Sequence, residues 1–146
     1  WDLVMVGESM WASSMPELPE SVRSRVHLTG RLENDELVEA IGSAGAMVFV
    51  PWFEGFGIPI IEAMACGVPV IASNVTSLPE VCGNAEFALV DASNSDDITG
   101  AMLDVERDPN KAQEASGRGM IRAKEFSWDK TAEAMSAAVD QLLIAK

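Results

Sequence analysis

Short apolar runs alternate with helical patterns along this chain, at intervals of roughly 20 residues. This alternation is typical of βαβ units, in which parallel strands are covered by helices. Residues 46–50 (AMVFV) contain no polar side chain, as expected for a strand buried on both faces of a sheet. The pattern predicts one α/β domain over residues 1–146. Its five strands are expected at residues 2–6, 26–29, 46–50, 68–72 and 87–90.

Proline, serine and glycine mark the helices between these strands. Pro59 suits the first turn of a short helix through Ala65, and Gly67 lies just beyond its end. Residues 108–123 are polar and rich in alanine, which predicts a helix on the surface. Ser127 is expected to cap the last helix, whose apolar residues recur at helical spacing.

The net charge of −13, from 23 acidic and 10 basic residues, narrows the choice of partners. Nucleic acid is disfavoured because its recognition needs a basic surface. A small phosphate ligand remains compatible, since backbone amides can hold an anion without side-chain cations. The longest apolar run, residues 44–53, is shorter than the ~20 residues that span a bilayer, and no signal peptide is recognisable. We therefore expect a soluble, cytoplasmic protein without a transmembrane segment.

Cysteine and histidine are too few for several kinds of chemistry. Cys66 and Cys82 make neither a disulfide framework nor a metal site, and we interpret them as free thiols in or near the core. His27 is the only histidine, so neither a zinc site nor a Ser-His-Asp triad is expected. No metal is predicted.

The informative segment is residues 51–67, PWFEGFGIPIIEAMACG. A buried strand runs into a glycine-containing turn, and a helix is expected to begin at Ile58 or Pro59. Strand, glycine turn and helix N-terminus together form the geometry that holds phosphates in doubly wound folds. The free amides of the first helical turn face the anion there, and the helix dipole favours negative charge. Trp52 and Phe53 precede the turn and are interpreted as packing residues.

Two glutamates flank this turn. Glu54 follows the strand, at its carboxyl end, where ligands bind in open α/β sheets; the alternative is a solvated loop acid. Glu62 lies in the helix among apolar neighbours, where an unpaired carboxylate is costly. Its side chain leans toward the helix N-terminus, so a ribose diol could donate two hydrogen bonds to it. The alternative for Glu62 is a carboxylate that reaches water along an exposed strip of the helix.

Set in EGFGIPIIEAMACGVPVIAS, the spacing of Glu54 and Glu62 resembles the signature of family 4 of the retaining glycosyltransferases. Members of that family share the GT-B fold of two facing Rossmann-like domains. Further segments follow in the order typical of the family's C-terminal domain: VHLTGRL, AMVFVPWFEGFG, VPVIASN with SLPEVCG, AEFALVD and FSWDKTAEAM. The resemblance covers nearly the whole chain. It implies a Rossmann-like parallel sheet with helices on both faces, and a nucleotide sugar as the ligand.

The resemblance also implies roles for individual residues. Glu54 would accept hydrogen bonds from donor-sugar hydroxyls and stabilise positive charge near the anomeric carbon, and Glu62 would bind the ribose hydroxyls. The amides after Glu54 would contact the sugar or diphosphate, the loop at residues 30–32 would lie beside the base, and the residues after the next strand would close the pocket. No metal or cofactor is implied. The implied site consists of Glu54 as the catalytic residue and of Gly55, Phe56, Gly57, Ile58, Glu62, Arg31, Leu32, Ser73 and Asn74 as donor-binding residues.

Some parts of the family pattern are not found in this sequence. A strand, a turn and a helix would precede Trp1 and would carry an Arg and a Lys that neutralise the leaving diphosphate. The N-terminal domain that binds the acceptor would be a further partner, so this chain alone is expected to be inactive. The expected fold is the C-terminal half of a GT-B fold without its first strand and helix. The full-length enzyme is expected in the cytoplasm or peripherally at the inner face of the membrane.

In a Rossmann-type sheet, the position of that first strand lies between residues 2–6 and residues 46–50. A gap there would leave buried backbone groups unpaired, which folded proteins almost never tolerate. We expect the position to be filled in one of three ways: by a further segment, by a strand from a second copy in a strand-exchanged homodimer, or by direct pairing of the two flanking strands.

Other functions stay open from the sequence alone. A non-catalytic nucleotide-binding or interaction module would use the same residues without turnover. A GT-B sugar-nucleotide epimerase would also bind a nucleotide sugar. A nicotinamide dehydrogenase is disfavoured, because no G-x-G-x-x-G turn follows the first strand.

Overall fold

The computed structural model describes residues 1–8 and 17–144. The chain forms two compact units, a first unit of Trp1–Glu39 and a second unit of Ala40–Lys146. The single domain expected over residues 1–146 stays a prediction. The elements in chain order are β1 (Leu3–Val6), α1 (Glu20–Arg23), β2 (Val26–Gly30), α2 (Asn34–Gly42), β3 (Met47–Phe49), α3 (Ile58–Ala65), β4 (Val70–Ser73), α4 (Leu78–Cys82), β5 (Ala88–Val90), α5 (Ser95–Arg107), α6 (Pro109–Ala123) and α7 (Trp128–Ile144).

The first unit contains a parallel two-stranded sheet of β1 and β2. Its register runs from Leu3 opposite Val26 to Val6 opposite Gly30, with an irregularity after Met5. All four side chains of β1 are exposed. Two strands without further cover cannot bury the apolar residues on both of their faces.

The second unit contains a parallel three-stranded sheet in the order β3-β4-β5. The central strand β4 is buried along its whole length, as its apolar residues 70–72 predict, and the polar Ser73 at its end is buried as well. The largest side chains of the core beside it include Ile71, Phe87 and Val105. The predicted α/β class with parallel strands is therefore confirmed.

The start of β4 differs from the prediction by two residues. Val68 and Pro69 were expected in the strand, yet the strand begins at Val70. The amide of Val68 instead donates to Ala63, and Gly67 takes a φ of +73°, which closes the C-terminus of α3. Val68 therefore belongs to the end of α3, although its apolar side chain by itself predicts a strand.

The strands β1 and β3 belong to different sheets. In the described part of the chain these two strands therefore do not pair with each other. Direct pairing was one of the three ways in which we expected the position of the missing first strand to be filled. The other two fillings, a further segment or a strand from a second copy, stay predictions.

Helix α6 is present and mostly exposed, as its polar composition predicts, but one of its faces is buried. This face consists of small residues that recur three or four positions apart, and part of it packs on α3: Ala112, Ala115, Gly119 and Ala123. At Gly119, an added Cβ would lie 3.1 Å from Cγ of Met64. Small side chains allow the two helices to approach closely, and α6 thereby supports α3 from behind.

Replacing Gly119 with Leu is expected to lower the free energy of unfolding by about 1–3 kcal/mol, because the larger side chain overpacks the contact with Met64. The urea midpoint at unchanged slope measures this loss. Gly117→Leu is the matched control, since no heavy atom lies within 4 Å of a Cβ at Gly117 and the helix propensity changes equally. Equal midpoints for the two variants would contradict the close packing of α3 and α6.

Helix α7 begins as predicted, because the amide of Lys130 donates to the hydroxyl of Ser127 at 3.2 Å. Its residues 128–143 are all exposed, including Met135 and Leu142 of the apolar stripe. No helix in the described ranges is both long and apolar enough to cross a membrane.

Both cysteines are free, as predicted. Cys66 is half-buried and Cys82 is fully buried. Burial raises the pKa of the Cys82 thiol to about 12, which keeps it neutral.

Candidate functional site

The predicted strand, turn and helix are all present in the second unit. Strand β3 ends at Phe49, and α3 begins at Ile58 with Pro59 in its first turn. Between them, Gly57 has a φ of +108° and a ψ of +40° at the helix N-cap. It is also buried, and an added Cβ would lie only 2.8 Å from Cδ2 of Leu78. Both the backbone angle and the space at this position therefore require glycine.

The carboxylate of Glu54 folds back onto its own turn. Its Oε1 accepts hydrogen bonds from the amides of Gly55 at 3.0 Å and Phe56 at 3.2 Å. The side chain is half-buried in this position. In this conformation the amide of Phe56 is already bonded. The Phe56 amide is therefore not free for a ligand while the carboxylate stays in this position.

The start of α3 offers few amides to an anion. Pro59 has no amide hydrogen, and the amides of Ile60 and Ile61 donate to the carbonyl of Gly57. The amides of Gly57 and Ile58 are the ones that remain for a ligand at this helix end. The side chain of Ile58 is 51% exposed, so the helix end is open to solvent.

Glu62 lies on the open face of α3. It is half-buried and shares this face with the exposed residues Ile58 and Ala65, whereas Ile60 and Met64 are buried on the other face. Among the ion pairs of the described residues, none involves Glu62. The helix is therefore not apolar on every side, and its open face gives the Glu62 carboxylate access to solvent. Glu62 lies about 6 Å along the helix axis from Ile58, and its binding of ribose hydroxyls stays a prediction.

Ser73 and Asn74 lie at the carboxyl end of β4, as predicted. The hydroxyl of Ser73 is fully buried and donates to the carbonyl of Pro51 at 2.8 Å. Asn74 is exposed, and its backbone amide donates to the carbonyl of Val90 at 2.8 Å. Ser73 thus contacts the segment before Glu54 through its hydroxyl, and the side chain of Asn74 is the more accessible of the two.

Sequence reasoning missed Thr76 and Ser77, in the turn between β4 and α4. The Thr76 hydroxyl donates to the carbonyl of Glu54 at 2.8 Å. The Ser77 hydroxyl lies 3.1 Å from the carbonyl of Phe56 and 3.2 Å from that of Glu54. The sequence signal that could have found them is the cluster of hydroxyl and amide side chains directly after β4.

The aromatic residues around the turn behave differently from one another. Trp52 and Phe53 were expected to pack, but they are 74% and 76% exposed. Phe56 instead meets Phe126 edge to face, with ring centroids 6.0 Å apart. The packing role expected for Trp52 and Phe53 is therefore wrong in this conformation.

Arg31 and Leu32 belong to the first unit. They directly follow Gly30, which has a φ of +67°, and Arg31 is exposed while Leu32 is half-buried. Their place beside a nucleotide base stays a prediction.

Two kinds of group are available at the turn of the second unit. Two carboxylates, those of Glu54 and Glu62, can accept hydrogen bonds from hydroxyls, and backbone amides can donate to phosphate oxygens. Residues 1–8 and 17–144 contain no cluster of three or more His, Cys, Asp or Glu side chains arranged to hold a metal ion.

Comparisons with known proteins agree with this arrangement. The sequence profile of the family described as "Glycosyl transferases group 1" matches residues 1–120. O-antigen chain mannosyltransferase B of Escherichia coli is 40% identical over 104 residues, which cover 71% of this chain and 27% of that protein. A GDP-mannose-dependent monoacylated alpha-(1-6)-phosphatidylinositol monomannoside mannosyltransferase of Corynebacterium glutamicum is 30% identical over 143 residues, which cover 92% of this chain and 37% of that protein.

Among solved structures, sucrose-phosphate synthase from Thermosynechococcus elongatus is similar, with a TM-score of 0.73 and 31% sequence identity. The match covers 86% of this chain and 32% of that structure. The chain thus spans 27–37% of the length of these three proteins. The resemblance and the fold class predicted from the sequence are confirmed.

Proposed function

We propose that this chain, which belongs to the glycosyl transferases group 1 family, binds the nucleotide-sugar donor in a hexosyl transfer reaction. The observation that carries the proposal is the turn from β3 to α3, where Glu54, Gly57 with its positive φ and the open start of α3 come together. Carboxylates at such a turn suit sugar and ribose hydroxyls, and the amides suit the diphosphate. The acceptor would be bound by the remainder of the enzyme.

In the proposed reaction, the bond between the anomeric carbon and the diphosphate oxygen breaks, and the nucleoside diphosphate leaves with the bonding electrons. The acceptor oxygen bonds to the same carbon with retention of configuration, and its proton passes to the leaving diphosphate oxygen or to water. Positive charge develops near the anomeric carbon as the leaving group departs. The carboxylate of Glu54 would stabilise that charge, and such stabilisation is worth most where the group is fixed in advance. In this structure, its bonds to the amides of Gly55 and Phe56 fix it.

GDP-mannose is the donor we propose to test first, because both of the relatives named above are mannosyltransferases and one is GDP-mannose-dependent by name. Thermal unfolding of the full chain with GDP-mannose, UDP-glucose and ADP-glucose tests the proposal. At about 100 times its Kd, the correct donor stabilises the folded state by ~2.7 kcal/mol, which raises Tm by roughly 5–10 °C. Release of the nucleoside diphosphate in the presence of an acceptor separates a transferase from a non-catalytic module. No shift with any of the three donors would contradict the proposal.

Replacing Glu62 with Gln is expected to weaken donor binding by about 1.5–3 kcal/mol, the range for hydrogen bonds to a charged group. The fold should survive, because Glu62 lies on the open face of α3. Isothermal titration calorimetry with the donor measures the loss. Glu106→Gln, at an exposed position in α5, is the matched control for charge. Unchanged affinity in the Glu62 variant would exclude the ribose role.

A further inference from the structure

Three hydroxyls at or just after the end of β4 donate to carbonyls of the segment that follows β3. Ser73 bonds to Pro51 at 2.8 Å and Thr76 bonds to Glu54 at 2.8 Å. Ser77 lies between two acceptors, the carbonyls of Phe56 at 3.1 Å and Glu54 at 3.2 Å. The two segments are 21–23 residues apart in the chain at these last contacts. The turn at Glu54 is therefore held from outside, by side chains of the neighbouring turn.

The hydroxyl of Ser77 makes these contacts and does not cap its own helix, α4. Ser77 occupies the N-cap position of α4, where serine usually accepts a hydrogen bond from an amide of its own helix. No such bond is formed at α4. The hydroxyl instead contacts the carbonyls of Glu54 and Phe56 in the turn before α3, and the stability of α4 does not explain this contact.

Thr76 adopts a backbone conformation that is unfavourable for its side chain. Its φ is +48°, in the left-handed region that β-branched residues rarely occupy. Such strain persists where the surrounding structure requires one particular geometry, and it is concentrated at functional sites. In this conformation the Thr76 hydroxyl donates to the carbonyl of Glu54 at 2.8 Å. The Thr76 hydroxyl oxygen also accepts a hydrogen bond from the backbone amide of Glu54 at 3.4 Å.

These contacts orient the amides on the other side of the turn. A trans peptide unit is planar, so its carbonyl and the following amide point in opposite directions. Fixing the carbonyl of Glu54 therefore directs the amide of Gly55 away from Thr76, toward the Glu54 carboxylate that accepts its hydrogen bond. Fixing the carbonyl of Phe56 likewise directs the amide of Gly57 away from Ser77.

We propose that Thr76 and Ser77 are positioning residues for the nucleotide sugar: their hydroxyls set the peptide planes of the turn, so that the Glu54 carboxylate faces the sugar and the amide of Gly57 faces the diphosphate. This role rests on the proposed function. Both hydroxyls donate to backbone carbonyls, so we assign neither of them a direct contact with the nucleotide sugar. Their effect is exerted through the sugar and diphosphate and leaves the nucleoside end of the ligand alone.

The test uses Thr76→Val, which keeps the β-branched shape and removes the hydroxyl, and Ser77→Ala. Each variant of the full chain is titrated calorimetrically with GDP-mannose, or with whichever of the three nucleotide sugars the wild type binds, and with the matching nucleoside monophosphate. We expect about 5–10-fold weaker binding of the nucleotide sugar, as for a lost hydrogen bond, and less than about 2-fold change for the monophosphate. Thr76→Ser restores the hydroxyl and is expected to recover most of the affinity.

Thr131→Val is the matched control, because the Thr131 hydroxyl in α7 also donates to a backbone carbonyl, at 3.1 Å. We expect this variant to bind both ligands as tightly as the wild type. Wild-type affinity for the nucleotide sugar in both the Thr76→Val and Ser77→Ala variants would overturn the positioning role. So would equal losses for both ligands together with a lower Tm, because these indicate a structural role only. A wild-type chain that binds no nucleotide sugar would overturn the proposed function first, and the positioning role with it.

Discussion

Enzyme with Glu54 replaced by Gln is expected to turn over its donor about 100-fold or more slowly, measured as kcat for nucleoside diphosphate release by the full protein. The glutamine oxygen can still accept hydrogen bonds from the amides of Gly55 and Phe56, so the turn keeps its shape. What is lost is the negative charge that would stabilise the transition state. Such a loss appears in kcat more than in donor affinity.

The companion variant Glu54→Ala separates binding of the sugar from binding of the diphosphate. Removing the carboxylate frees the amide of Phe56 for a phosphate oxygen, so affinity for the free nucleoside diphosphate should hardly fall. Affinity for the nucleotide sugar should fall much more, since the acceptor for the sugar hydroxyls is gone. Glu114→Gln, at an exposed position in α6, is the control for charge alone. Equal losses for the two ligands, or unchanged kcat in Glu54→Gln, would contradict the assignment of Glu54 to the sugar.

Gly57→Ala is expected to lower the free energy of unfolding by about 2–4 kcal/mol and to abolish donor binding at moderate concentrations. Two costs combine at this position. Alanine resists a φ of +108°, and its Cβ would lie 2.8 Å from Cδ2 of Leu78 in α4. The clash requires a shift of the buried Leu78 side chain or of the turn, and the unfavourable φ adds to the force on the turn. We expect the turn to move, which misplaces the amides at the start of α3. Chemical denaturation measures the first effect and calorimetry with the donor measures the second.

Gly55→Ala provides the matched control for Gly57. An added Cβ at Gly55 would have no heavy atom within 4 Å, and its backbone does not lie in the left-handed region. It should therefore leave stability within about 0.5 kcal/mol of the wild type. If both glycine variants proved equally stable, the conformational requirement at Gly57 would be wrong.

The local pattern of the sequence determined much of the architecture. The uninterrupted apolar run at residues 46–50 identifies strand β3, although that strand is half-buried rather than buried on both faces. The alternation of such runs with helical stretches identifies the parallel α/β class. Pro59 and the glycines before it fix the start of α3 to within one residue. These features are readable because each depends on residues that are close together in the chain.

Several errors arise where packing decides between local alternatives. Val68 is as apolar as a strand residue, but it closes the end of α3. Residues 108–123 form the predicted surface helix, but its buried face with Gly119, which packs on α3, was missed, because small residues contribute little to an apolar pattern while allowing close approach. Glu62 has apolar sequence neighbours on a helix that nevertheless has an open face. In each case the partner across the contact, and not the segment itself, decides the outcome.

The candidate site shows the same division. The sequence by itself predicted that Glu54 and Gly57 lie in a turn between a strand and the start of α3, since strand, glycine and helix start are contiguous, and the structure contains that turn. Only the tertiary structure revealed that Glu54 is bonded to its own turn and that Thr76 and Ser77 hold this turn in place. A hydroxyl that donates to a backbone carbonyl 21–23 residues away places no demand on the identity of the acceptor residue. Such a contact leaves no pattern in the sequence, and it exists only because β3 and β4 lie side by side and end at the same edge of the sheet.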